Sequence, residues 1–233
     1  MTFSQQLEEA LVPYRQEYRS LTDEWITSGA FGPTYPALLV ETFHYVKHSC
    51  SLMCLACARL DHSQSELQTY VARHIEEEVA HENWVLEDLE TLGYERAEVV
   101  ASKPLAETIH LVGSQLYVIE YLDPAGLLGY VYVMESTPPR RQALEEFSEA
   151  FGIPYDAMKF LVQHGEEDVK HKRDLIHALD NFLRDSRQRE AALTSAVMGL
   201  ADVNRMLARI RTGDVARAVP VPIAISPKLV SAS

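Results

Sequence analysis

Helical periodicity dominates the chain from Phe3 to about Arg211, and this confines it to an all-α fold. Residues Phe3 to about Ile26 form a first amphipathic segment, ended by the breaker Gly29-Ala-Phe-Gly-Pro33. The spacing predicts further helices from Tyr35 to Leu60 and from Ser65 to Leu92, the latter closed by Gly93 at a position that tolerates left-handed backbone. Ser102-Lys-Pro104 opens a segment reaching roughly Tyr121, and Asp123-Pro124 is a turn signal. The run Leu127 to Ser136 is too short and too apolar for periodicity to separate helix from buried strand. It is read as a helix because its neighbours are helical and no strand partner is visible. Pro138-Pro139 ends it, and helices from Gln142 to Phe151, Tyr155 to Leu183 and Arg187 to about Arg211 complete the pattern. It amounts to a bundle of about seven helices. Residues 1–212 read as one domain, and 213–233, with Pro220, Pro222 and Pro227, as an extended or disordered tail.

At 233 residues, 47% of them hydrophobic and 24% charged, the chain can bury a substantial core. Its formal net charge of -13 repels polyanions and argues against a nucleic-acid partner. No apolar run approaches the ~20 residues of a membrane span, so no membrane partner is expected. Cys54 and Cys57 have CxxC spacing, with Cys50 nearby, but Leu52, Met53, Leu55, Ala56 and Ala58 surround them, and packed small hydrophobes in a helix is the favoured reading. Free thiols and a polar, acidic N-terminus lead to a cytoplasmic expectation.

The chemistry lies in the placement of donors. In His164-Gly-Glu-Glu-Asp168-Val-Lys-His171, positions i, i+4 and i+7 put His164, Asp168 and His171 on one helix face. In His74-Ile-Glu-Glu-Glu78-Val-Ala-His81 the same spacing aligns His74, Glu78 and His81, with Glu77 competing for the place of Glu78. Imidazole and carboxylate converging from two helices suit zinc, iron or manganese. A solvated acidic face is the plainer alternative for each stripe taken alone. Glu135 closes the apolar run Gly129 to Met134, where a carboxylate is costly to bury unless it is paired, coordinated or protonated. A further face carries Glu41, His44 and His48, with Glu41 a candidate extra ligand and His44 and His48 candidate pocket residues. Helical di-metal carboxylate proteins of the ferritin-like kind use two Glu-x-x-His motifs. Glu78-Val-Ala-His81 supplies one, and no convincing second is present.

Glu78 and His81 on one core helix, Glu135 near the end of an apolar helix, and the His164-x3-Asp168-x2-His171 helix together resemble the haem-oxygenase-like di-metal oxidases. These proteins share the helical fold of haem oxygenase and of the thiaminase-type TenA proteins. The resemblance covers roughly Tyr35 to Leu183 and implies that fold for this chain. It implies two Fe(II) ions, with manganese open as an alternative, and O2 as co-substrate. Some members carry a carboxylate seven residues before the core-helix His, where this chain has His74, so the choice among His74, Glu77 and Glu78 stays open. One partition puts one metal on Glu78, His81 and His171 and the other on His164 and Asp168, with Glu135 shared.

The resemblance thus implies a non-haem di-iron oxidoreductase acting on a small carboxylate-bearing substrate by oxidative C–C or C–N cleavage or N-oxygenation. An amino acid or derivative is favoured over a fatty acid. Arg73, Arg140, Arg141 and Lys170 are candidates to hold its carboxylate, and a fatty acid would instead need an apolar tunnel lined by Leu127 to Met134. The partner is a small molecule, and a homodimer is compatible with the chain. The competing readings are a cofactor-free thiaminase-type hydrolase using a cysteine nucleophile, and a non-enzymatic iron-binding helical protein.

Overall fold

The computed structural model describes residues 1–136 and 140–213, with the side chains of 166–169 excepted. The expectations for Pro138-Pro139, for the tail from 214 and for the Asp168 side chain lie outside the described residues. The described residues are predominantly helical and contain no strand. In chain order the helices are α1 (Phe3–Thr27), α2 (Phe31–Val46), α3 (Ser49–Arg59), α4 (Ser65–Glu78), α5 (Glu82–Thr91), α6 (Arg96–Ala101), α7 (Ala106–Tyr117), α8 (Leu127–Glu135), α9 (Arg141–Phe151), α10 (Lys159–Asn181) and α11 (Ser186–Arg211). None of them is long and apolar enough to cross a membrane.

Two helices expected to be continuous are each divided. The Tyr35 to Leu60 segment breaks at Lys47-His48, between α2 and α3, and the Ser65 to Leu92 segment breaks at Val79-Ala80-His81, between α4 and α5. Ala80 has φ +72°, the left-handed region that an L-residue enters at a cost of about 1–2 kcal/mol. The local sequence favours helix there. Packing on both sides holds the turn, because Glu78 and His81 are both buried.

α11 is the central helix and packs against α1, α7 and α8. α8 is buried nearly all round, as its unbroken apolar sequence requires. It approaches α11 closely at Gly129, where an added Cβ would stand 1.8 Å from the Ala192 carbonyl oxygen. One apolar cluster gathers Leu7, Leu11, Leu52, Leu67 and Leu128, and a second gathers Trp25, Tyr35, Leu39, Val85 and Leu89. α10 begins on a buried carboxylate from α5: Asp88 accepts from the backbone N–H of Lys159 at 2.8 Å and of Phe160 at 2.9 Å. These donors would otherwise be orphaned at the helix start, so Asp88 sets where α10 and its histidines begin.

Candidate metal centre

Four elements deliver the donors. α4 contributes His74 and Glu78, the break after it His81, the end of α8 Glu135, and α10 His164 and His171. Their donor atoms form two groups, His74/Glu78/Glu135/His171 and Glu78/His81/His164, each with all its atoms within 4.8 Å of one another. Glu78 belongs to both. His74 Nε2 lies 2.6 Å from Glu135 Oε1, and His81 Nδ1 lies 3.2 Å from Glu78 Oε2. His171 Nδ1 is 3.6 Å from Glu78 Oε1 and 3.9 Å from Glu135 Oε1. The His74 and His171 rings meet edge to face at 4.9 Å, and the His81 and His164 rings at 5.0 Å.

The partition set out with the family resemblance groups these residues differently from what is seen among those described. Glu78, not Glu135, joins the two groups; His171 lies with Glu135, and His81 lies with His164. The reason is the break after Glu78, which turns His81 toward α10 independently of the α4 face. His74 enters the first group. Glu77, the rival of Glu78, reaches the far side of His171 instead, with Oε2 3.2 Å from Nε2, and also pairs with Lys170. A carboxylate on the outer nitrogen of a ligating imidazole fixes the ring and raises its basicity. Sequence spacing carries no signal for that role, because Glu77 and His171 are brought together only by the packing of α4 on α10.

The residues fit metal ions. Glu78 and Glu135 are 7% and 5% exposed, and buried carboxylates need compensation. Glu78 Oε1, Glu135 Oε2 and His171 Nδ1 are buried with no hydrogen-bond partner among the described residues. Cations placed between them would satisfy all three atoms. Burial raises the Glu135 carboxyl above its ordinary range, opposed by His74 and His171. Burial also pulls Glu78 upward, but the His81 hydrogen bond and the charges of His164, His81 and His74 outweigh it and leave Glu78 low. The shared carboxylate is therefore the one whose charged form its surroundings favour.

The centre opens on a cavity of about 410 Å³ whose lining includes His74, Glu78, Glu135 and His164. Both apolar clusters contribute to its walls, including Trp25, Phe31, Leu127, Leu144, Leu200 and Met206. No Lys or Arg is among the described residues that line it, so the cationic anchors considered from sequence, Arg73, Arg140, Arg141 and Lys170, stand elsewhere. Leu127, Val131, Val133 and Met134 do line it.

His44, His48 and Glu41 are not at this site. Glu41 accepts from the Thr108 hydroxyl at 2.5 Å and the Leu105 N–H at 3.0 Å, which ties α2 to the start of α7. His44 Nδ1 lies 3.0 Å from Lys47 Nζ, and His44 Nε2 lies 2.8 Å from Ser102 Oγ. Lys47 donates, so Nε2 carries the proton and His44 is neutral. Burial, then the charges of Lys47 and His48, push its pKa down to about 4. An unfolded His titrates near ~6.5. The contribution of His44 to stability is therefore complete above that value and is lost as the pH falls through it toward 4. Urea unfolding should show wild type losing about 2 kcal/mol more than His44→Gln between pH 7 and pH 5. Parallel pH profiles for the two proteins would refute this.

The cysteines are less enclosed than packed core residues. Cys54 is exposed, Cys50 and Cys57 are half-buried, and their neighbours Leu52, Met53 and Ala56 occupy the core. None of the three lines the cavity. Burial and the carboxylates of Glu78 and Glu82 push the Cys50 thiol up to about 11, the opposite of what a nucleophile needs.

Residues 37–202 match a family described as iron-containing redox enzymes. Among solved structures, the chain is similar to a domain of unknown function with a haem oxygenase-like fold from Shewanella denitrificans OS217. The two are 20% identical with a TM-score of 0.82, over 94% of this chain and 97% of that one. It is also similar to a CADD-like protein of unknown function from Nostoc punctiforme PCC 73102, at 15% identity and a TM-score of 0.69, over 94% and 97% of the two chains. No curated protein matches the sequence.

Proposed function

Because the chain belongs to the family of iron-containing redox enzymes, we propose that it is a di-iron, O2-dependent oxidase acting on a carboxylic acid with an extended apolar chain. The observation that carries this reading is the pair of largely buried donor groups sharing Glu78, four of whose residues line an apolar cavity. His74, Glu78, Glu135 and His171 would hold one ion, and Glu78, His81 and His164 the other. Asp168, on α10 between the two histidines, is proposed as a further ligand. Iron bound there supplies the electrons that reduce O2 and hence the oxidising power directed at the substrate.

The protein's own residues then set what is oxidised. The apolar walls exclude water from the reacting end. An acid entering the cavity meets no Lys or Arg among the described lining residues, so its carboxylate belongs at the metal-holding end and its chain along Leu127, Leu144, Leu200 and Met206. A small free amino acid, one member of the amino-acid and derivative class that the resemblance favours, would leave much of the apolar lining uncontacted. The cavity volume lies within the ~300–1,000 Å³ of small-molecule sites. A non-enzymatic iron-binding protein has no use for such a cavity, and the cysteine hydrolase has no thiol in it.

The test is anaerobic loading with Fe(II) followed by O2 uptake in the presence of linear fatty acids or free amino acids. Two irons per chain and uptake stimulated at least about tenfold by a chain acid are expected. Uptake stimulated only by free amino acids would replace the substrate class, and fewer than two irons would end the di-iron reading.

A further inference from the structure

Glu135 is the last residue of α8, at the end of a helix where carbonyls lack intrahelical partners. Two cations from different helices converge on the next residue, Ser136. Arg15 of α1 donates from Nη2 to Ser136 Oγ at 2.6 Å, and Lys172 of α10 donates from Nζ to the Ser136 carbonyl at 3.1 Å. Ser136 Oγ itself donates to the Val133 carbonyl at 3.3 Å. Arg15 is in turn fixed by a fork onto Glu8, Nε to Oε2 at 3.0 Å and Nη2 to Oε1 at 2.9 Å. The Tyr132 hydroxyl, one turn back along α8, donates to the same Glu8 carboxylate. Burial would raise Glu8, but Tyr132, Arg15 and Lys172 outweigh it and keep the carboxylate ionised. Cations at a helix C-terminus are also favoured by its dipole.

We infer that Arg15 is a positioning residue for Glu135. It locks the last turn of α8 to α1 through Ser136 and, by way of Glu8, through Tyr132, and so holds the Glu135 carboxylate against His74 and His171. The inference rests on the metal-centre reading. The geometry requires arginine because one guanidinium must grip Glu8 with two nitrogens and still reach Ser136, which an ammonium cannot do. Lys172 acts as the second tether from the opposite side. Nothing in the arrangement places Arg15 on a metal or on substrate, since it does not line the cavity.

The experiment is anaerobic titration with Co(II), whose absorption reports carboxylate and imidazole coordination, on wild type, Arg15→Gln and Arg15→Lys, with thermal melts of the metal-free proteins. Wild type should take up two ions. Arg15→Gln should weaken one of the two by about tenfold, as loss of a partner supporting a ligand does, with an altered Co(II) spectrum for that ion. The other ion, which would rely on Glu78, His81 and His164, should bind within about twofold of wild type, because Glu135 is not in its donor group. Arg15→Lys, keeping the charge but not the fork, should fall between. Unchanged affinities and spectra, equal weakening of both ions, or weakening that merely tracks a lower melting temperature would overturn the inference while leaving the two-metal centre standing. A wild type that takes up fewer than two ions would sink the metal-centre reading and this inference together.

Discussion

In the proposed two-ion centre, replacing Glu78 with alanine is expected to remove both ions, whereas His81→Ala should remove one. Among the described residues, Glu78 is the single one common to the two donor groups. It is buried with its charged form favoured, Oε2 toward His81 and Oε1 toward His171. Its loss leaves three described donors in one group and two in the other, and would take an anionic ligand from each. Losing a residue that merely supports a ligand costs about 10–100-fold in metal affinity, so losing this shared carboxylate should cost more than about 100-fold at each position. Iron content after anaerobic loading and gel filtration, with Co(II) titration for affinities, is the measurement. A Glu78→Ala protein that keeps one ion at wild-type affinity would show that the two groups do not share a ligand.

The second large effect is expected from a residue with no chemistry. At Gly129, a Cβ would stand 1.8 Å from the Ala192 carbonyl oxygen, 2.7 Å from its carbon and 2.9 Å from the Ala196 nitrogen. All three are backbone atoms of α11, so no side chain can rotate away. Gly129→Ala must push α8 from α11, breaking the Tyr130 N–H to Ser195 Oγ bond of 3.1 Å and displacing Glu135 on the same helix. Overpacking of this kind costs about 3 kcal/mol or more. Urea unfolding should show that loss, and Co(II) binding should weaken with it. Gly113→Ala is the matched control: its Cβ meets nothing within 4 Å, and alanine in a helix is favoured over glycine by about 1 kcal/mol. Equal behaviour of the two variants would mean that the α8–α11 approach is not tight.

Much of this protein is legible without its fold. Helical class follows from periodicity because side-chain spacing is a local property of the chain. The donor stripes are legible for the same reason: residues three, four and seven apart share a helix face whatever the helix packs against. Glu135 stands out because a carboxylate ending an apolar run is an electrostatic anomaly in sequence alone. His74, by contrast, is one of several choices beside His81, since spacing cannot say which face of α4 meets α8.

The grouping of the donors comes from the tertiary structure. The turn at Ala80 divides a helix that local propensity would continue, and packing on either side of it decides that His81 joins His164 while Glu78 serves both groups. Glu41 and His44 look like the other donors by spacing, yet the start of α7 and Ser102 take them into structural hydrogen bonds. Residue types and their spacing along one helix are written in the chain. Which helices meet, and so which donors lie within 4.8 Å of one another, depends on contacts between residues far apart in sequence, such as Glu77 with His171, Arg15 with Ser136 and Asp88 with the start of α10.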